Sequence, residues 1–83
     1  MTFDRRLPER SHIVTYGAST ELRMQVESHP LEIPRAELTS DLRHTRCWEM
    51  WVRYLDDHPT GALHSRHSLI VREDELHLWR RVG

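Results

Sequence analysis

Two pairs of potential metal ligands give this sequence its most specific spacing. His44-x-x-Cys47 is followed further along the chain by His64-x-x-His67. Nitrogen and sulfur ligands in two pairs are typical of structural zinc sites. One cysteine with three histidines is nevertheless an uncommon ligand set, neither pair has the glycine of a zinc knuckle, and the chain holds 7 histidines that can pair by chance. The sequence therefore favours no metal and no cofactor, and a small zinc-stabilised domain stays an alternative.

Catalytic chemistry has few candidates. Cys47 would need a neighbouring base or cation to become a nucleophile, and no strained turn surrounds it in the sequence. The paired carboxylates at Asp56-Asp57 and around Asp74 fall in predicted turns, where acidic residues are favoured for backbone hydrogen bonding. The chain has only 3 glycines, too scattered for a phosphate-binding loop. We therefore expect no enzymatic activity and no catalytic residues.

The length of the chain limits it to one domain. A chain of 83 residues buries only about 60 to 65% of its unfolded surface, which leaves no room for a second core. We assign residues 1–83 to a single domain and expect residues 1–10, which show no periodicity, to form a loosely ordered arm. No strictly apolar run is longer than that of Leu69 to Val71, which is far below the roughly 20 residues of a membrane span. We expect no membrane partner.

Charge and cysteine content bear on partners and location. All 12 basic residues are arginine and the net charge is −1, so the overall field does not attract a polyanion. The N-terminal sequence lacks the apolar core of a secretory signal, and a single cysteine cannot form an internal disulfide. These features predict a cytoplasmic protein.

A hairpin is the clearest local pattern. Residues 12–16 are rich in β-branched and aromatic types, residues 17–19 have turn character, and residues 20–27 alternate between apolar and polar. Leu22, Met24 and Val26 share one face of this second strand. The pattern predicts two antiparallel strands with one face toward the core.

The next two segments differ in periodicity. Pro34 suits the first position of a helix, and Leu38 and Leu42 stand four residues apart, so residues 34–43 are predicted as a short helix. Residues 46–55 fit a helix or a strand. A helix continued from Pro34 would put Leu38 and Leu42 on the polar side, and tryptophan, valine and tyrosine favour strands. We therefore predict a strand that directs Trp48, Met50, Val52 and Tyr54 toward the core.

The C-terminal third predicts two more strands. Residues 57–61 form a strong turn signal, and runs at 67–72 and 75–82 are joined by the acidic turn Glu73-Asp74. The complete prediction is an α+β domain of order ββαβββ, in which one helix packs on one face of a small antiparallel sheet of four or five strands.

This arrangement predicts a binding surface on the opposite face of the sheet. If the helix covers one face, the other carries Trp51, Arg53, His77, Trp79 and Arg81. Tryptophan and arginine are the residue types most enriched at binding hot spots, because a rigid aromatic ring buries a large area and arginine adds directed hydrogen bonds. The competing interpretation places one or both tryptophans in the core.

The sequence thus predicts a non-enzymatic protein-binding module. A small accessory or inhibitory protein of a bacterium, phage or mobile element fits its size and composition. One alternative is a module for single-stranded RNA or DNA, in which the same tryptophans stack on bases and the arginines contact phosphates. Another use of the same face is a homodimer contact.

Overall fold

The computed structural model of the chain describes residues 7–17, 19–56 and 63–82, and for residues 19–21 it describes the backbone. The described residues form one antiparallel sheet of six strands. The strands are β1 (Ile13–Tyr16), β2 (Ser19–Val26), β3 (Leu31–Glu32), β4 (Cys47–Tyr54), β5 (Arg66–Arg72) and β6 (Trp79–Arg81). Two 3-10 helices, Arg35–Glu37 and Glu73–Leu78, are the helical elements of the described ranges.

Strand β4 lies at the centre of the sheet. It pairs along its whole length with β5, from Cys47 opposite Arg72 to Arg53 opposite Arg66. Its other side pairs with β2 near its end and with β3 near its start. β2 and β3 therefore act as one interrupted strand beside β4, and the residues between them form a local irregularity.

The sheet continues from β2 to β1 and from β1 to β6, so β5 and β6 are its two outermost strands. The six-residue 3-10 helix Glu73–Leu78 joins these two strands. At about 2 Å per residue it spans roughly 12 Å, less than the roughly 19 Å that separates them on a flat sheet. The sheet must therefore curl, and we call its concave side the inner face and its convex side the outer face.

The core lies on the inner face. Its buried members come from four strands and the second 3-10 helix: Val14, Met24, Val26, Trp48, Met50, Val52, Tyr54, Val71 and Leu76. Leu7, Leu22, Leu69 and Trp79 pack against them from the margin. The domain is compact, with a radius of gyration of 12.9 Å. Within the described ranges, no helix is long and apolar enough to cross a membrane.

The predicted hairpin and the predicted strand at residues 46–55 are confirmed. β1 and β2 pair antiparallel, and Met24 and Val26 are buried as expected. In β4 the four residues predicted to face the core are all buried. The alternation of apolar and polar residues predicted these strands correctly, because one side of each strand faces the core and the other faces outward.

The predicted helix over residues 34–43 is wrong, and with it the α+β assignment. A single 3-10 turn, Arg35–Glu37, follows Pro34, and Leu38 already has extended backbone. The Thr39 hydroxyl donates to the Asp41 carboxylate, and the Leu42 amide donates to the Thr39 carbonyl. Threonine, serine and aspartate compete for backbone hydrogen bonds in this way, and they favour turns over a helix.

The predicted strand over residues 75–82 is also wrong for most of its length. Residues 73–78 form a 3-10 helix with Leu76 buried, and only Trp79–Arg81 is a strand. Arg72 forms a bidentate ion pair with Asp74, which stabilises the turn at the start of this helix. β3 was not predicted, and the turn at residues 57–61 lies outside the described residues. Residues 1–6 of the predicted arm also lie outside them.

Met50 gives a direct test of the central position of β4. Its side chain is fully buried, so Met50→Ala should lower the free energy of unfolding by about 2 to 5 kcal/mol through lost burial and an unfilled cavity. Ile70→Ala, at an exposed position of β5, should change it by less than about 1 kcal/mol. Urea denaturation measures the free energy of unfolding of both variants. Equal decreases would contradict the central position of β4 in the core.

The ion pair between Arg23 and Asp56 predicts a pH effect. The Arg23 guanidinium bonds both carboxylate oxygens, and the Arg23 amide donates to one of them. The Arg23 side chain is the largest factor lowering the pKa of Asp56. A lowered pKa stabilises the fold above the unfolded value, and this is lost as pH falls through the folded value. In Arg23→Gln, NMR titration should show a higher pKa for Asp56, and an unchanged pKa would contradict the pairing.

Candidate functional site

The four candidate zinc ligands lie apart. His44 is exposed and contacts Asp74 at 3.3 Å, and His64 is an exposed turn residue. Cys47 begins β4, whereas His67 lies opposite Val52, roughly 17 Å along the strand at about 3.4 Å per residue. His67 also packs on the inner face against Tyr54, with ring centroids 4.7 Å apart. Among the described residues, no group of three or more potential ligands could hold a metal ion.

Cys47 is enclosed by the protein. Cys47 alternates with the inner-face residues of β4 and so lies on the outer face, yet it is 0% exposed. Its thiol donates to the Thr45 carbonyl at 3.8 Å. Burial raises the pKa of the Cys47 thiol, which disfavours the thiolate that nucleophilic chemistry needs.

The structure divides the five predicted binding residues into two faces. Trp51 and Arg53 lie on the outer face of β4. Trp79 lies opposite Tyr16 and Arg81 opposite Val14, a core residue, so Trp79 and Arg81 lie on the inner face. His77 is exposed in the second 3-10 helix. The sequence reasoning placed all five together because it extended the last strand through residues that are helical.

The outer face around Trp51 carries a group of exposed apolar and charged side chains, which we call the outer patch. Leu31 is 71% exposed, Trp51 43% and Ile70 49%. Arg53 and Arg66 lie opposite each other beside them. The outer patch consists of Leu31, Trp51, Arg53, Arg66 and Ile70.

One carboxylate holds the arginines of the outer patch. The same oxygen of Glu27 lies 3.1 Å from the Nε of Arg53 and 3.1 Å from the Nε of Arg66. The Arg66 guanidinium also lies over the Trp51 ring, 5.6 Å from its centroid, within the range of a cation–π contact. Glu27 thus brings together two like charges that would otherwise repel across the strand pair.

The backbone of Trp51 is hydrogen-bonded to residues that lie between β2 and β3. The Glu27 amide donates to the Trp51 carbonyl, and the Trp51 amide donates to the Ser28 hydroxyl at 2.9 Å. A serine side chain therefore replaces the backbone partner that a regular strand would provide. The Trp51 backbone is thus held by hydrogen bonds on the β2 side and lies opposite Ser68 on the β5 side.

The inner face holds an apolar cavity at the margin of the core. It has a volume of about 370 Å³ and is lined by Leu22, Met24 and Tyr54 together with Tyr16, Leu69, Ile70 and Trp79. The Tyr16 and Trp79 rings pack at 4.8 Å between centroids. Tyr16 donates to the Glu75 carboxylate at 3.0 Å, and its pKa is raised by burial and then by Glu75. The cavity therefore lies between β5 on one side and β1 and β6 on the other.

Several residues of these sites escaped the sequence reasoning. Arg66 and Ile70 lie on the outer face by simple alternation in β5, a signal that was present but not used. Leu31 could not be placed because β3 has two residues. The role of Glu27 depends on strand register across three strands, which local patterns do not specify.

Comparison with known proteins adds no identification. No protein-family model, no curated protein and no solved structure matches this chain. The function must be argued from the site itself.

The burial of Cys47 predicts a chemically silent thiol. A thiol reagent such as 5,5′-dithiobis(2-nitrobenzoic acid) should react at least 100-fold more slowly with the native protein than with the protein in guanidinium chloride. The unfolded chain should release one equivalent, because the sequence holds one cysteine. Fast reaction of the native protein would show that the thiol is accessible and available for chemistry.

Proposed function

We propose that this protein is a non-enzymatic binding module that recognises another protein through the outer patch. The observation that supports this most directly is the exposure of three large apolar side chains, Leu31, Trp51 and Ile70, on one rigid sheet face. Glu49 pairs with both Leu31 and Ile70 and lies between them, so apolar and charged side chains alternate on this face. Protein interaction sites combine apolar and polar side chains in this way.

The chemistry of the outer patch suits a protein surface. Trp51 offers a rigid aromatic anchor of large area, and the arginines beside it keep N–H donors beyond those that Glu27 accepts. The residue opposite Trp51 is the small Ser68, and the Trp51 side chain is 43% exposed, so a partner residue can contact the ring as hot-spot residues do in interfaces.

Preorganisation favours binding at this site. Glu27 fixes Arg53 and Arg66, and the backbone of Trp51 is hydrogen-bonded toward β2. Side chains that are already ordered lose less entropy on association. The partner would gain affinity at the tryptophan and specificity from carboxylates that meet the arginines.

Nucleic-acid binding is less well supported. Glu27 offsets part of the charge of Arg53 and Arg66, and Glu49 lies beside them in β4. The net charge of −1 provides no long-range attraction to phosphates. The two predicted stacking residues, Trp51 and Trp79, also lie on different faces.

Trp51→Ala and Trp79→Ala form a matched pair that tests this proposal. The protein, immobilised through a tag, should capture a protein that Trp51→Ala captures weakly. Titration with that purified partner should then show at least a tenfold loss of affinity, about 1.4 kcal/mol or more. The melting temperature of Trp51→Ala should stay within about 4 °C of the parent.

Trp79→Ala is the control, because Trp79 packs against the core. It should lower the melting temperature by more than about 5 °C while leaving affinity near that of the parent at a temperature where it is folded. A Trp51→Ala protein that unfolds, or that binds as well as the parent, would contradict the proposal.

A further inference from the structure

Strand β5 exposes backbone hydrogen-bonding groups along one side. The Tyr54 amide donates to the Ser65 carbonyl, and the Glu73 amide donates to the Arg46 carbonyl. These bonds fix the parity of the β4–β5 ladder, so that odd-numbered residues of β5 direct their N–H and C=O groups toward β4. The even-numbered residues Arg66, Ser68, Ile70 and Arg72 direct theirs away. Within the described ranges, β5 pairs with β4 alone.

The centre of this edge lacks the usual features that prevent strand pairing, and its arginines, Arg66 and Arg72, stand at its two ends. Natural edge strands are kept short or are protected by proline, lysine or bulges. β5 has seven residues in regular register, and its centre is Ser68, Leu69, Ile70 and Val71. Such an edge is suited to receive another strand.

We propose that β5 pairs antiparallel with β5 of a second copy of this chain, about a two-fold axis at Ser68. Ser68 of one copy lies opposite Ser68 of the other, and Arg66 lies opposite Ile70 in both directions. All of these residues have outward-directed backbone groups, so each pair can exchange two hydrogen bonds. The contact is isologous and closed, which makes a dimer and not a fibre.

Charge selects this register. On the outer face, one row of side chains crosses the interface between the two copies. It consists of Glu49 and Ile70 of one copy, followed by Arg66 and Arg53 of the other. Ile70 lies between Glu49 and Arg66 of the other copy, which are roughly 10 Å apart at about 4.8 Å per strand, so opposite charges are aligned across the interface. A two-fold axis at Leu69 would instead place Arg66 directly opposite Arg72, and like charges in this position are destabilising.

This inference does not depend on the proposed function, since it rests on the β5 backbone and the register. It extends that function, because the dimer places the two outer patches side by side on one continuous sheet face. The two Trp51 residues then flank the paired Ser68 residues.

A cysteine pair tests the register, in a Cys47→Ala background that leaves no other thiol. In the proposed dimer the Cα atoms of the two residues 68 are about 5.5 Å apart, within the range of a disulfide. Ser68→Cys should therefore form a covalent dimer under mild oxidation. Leu69→Cys should not, because its Cα atoms would be about 8 Å apart. Cross-linking at residue 69, or at neither, would overturn the register.

Sedimentation equilibrium tests the dimer itself. Ser68→Pro removes an amide hydrogen that points away from β4, so the domain should fold while its dimer dissociation constant rises at least tenfold. Ser68→Ala is the control and should change the constant less than threefold. Glu49→Arg should weaken the dimer, since it replaces the opposite charge aligned with Arg66 and Arg53 of the other copy by a like charge. A parent protein that stays monomeric at 1 mM would overturn the proposal.

Discussion

The hydrogen bonding of β4 on both sides is the constraint on which the rest of this structure depends. β4 pairs with β5 along its length and with β2 and β3 in succession on its other side. Its inner-face residues are therefore in the middle of the core, and its outer-face residues are in the middle of the outer patch. No other strand in the described ranges contributes centrally to both surfaces.

The electrostatics of the outer face follow from this placement. Arg53 and Arg66 are paired across β4 and β5, and the carboxylate that holds them comes from just beyond β2. Three elements that are distant in sequence thus meet at one charge cluster. The cluster is partly exposed, so its stabilising contribution is modest, and its main effect is to order the arginine side chains.

The sequence predicted the elements whose alternation extends over a whole strand. The faces of β4 and the inward positions of Met24 and Val26 were read correctly, because burial on one side imposes a period of two. The helix over residues 34–43 failed because two leucines matched a helical spacing in a segment whose serine, threonine and aspartate favour turns. The short strand β3 and the 3-10 helix after Arg72 carry no period long enough to detect.

The candidate site was only partly accessible to such reasoning. Trp51 and Arg53 were placed on one face, because that inference needs only one strand. Trp79 and Arg81 were placed on the same face, and this was wrong because the inference needs the register between β1 and β6. The Glu27 cluster needs the register of three strands at once, and the sequence provides no local signal for it.

The pairing of β1 with β6 also constrains how the chain folds. Tyr16 lies opposite Trp79, roughly sixty residues later, so the edge of β1 that faces away from β2 pairs with a strand distant in sequence. Contacts of such long sequence separation slow the folding of small β proteins to milliseconds or seconds. Without β6, Val14 and the buried Thr15 would lie at a free strand edge, and such an edge favours aggregation.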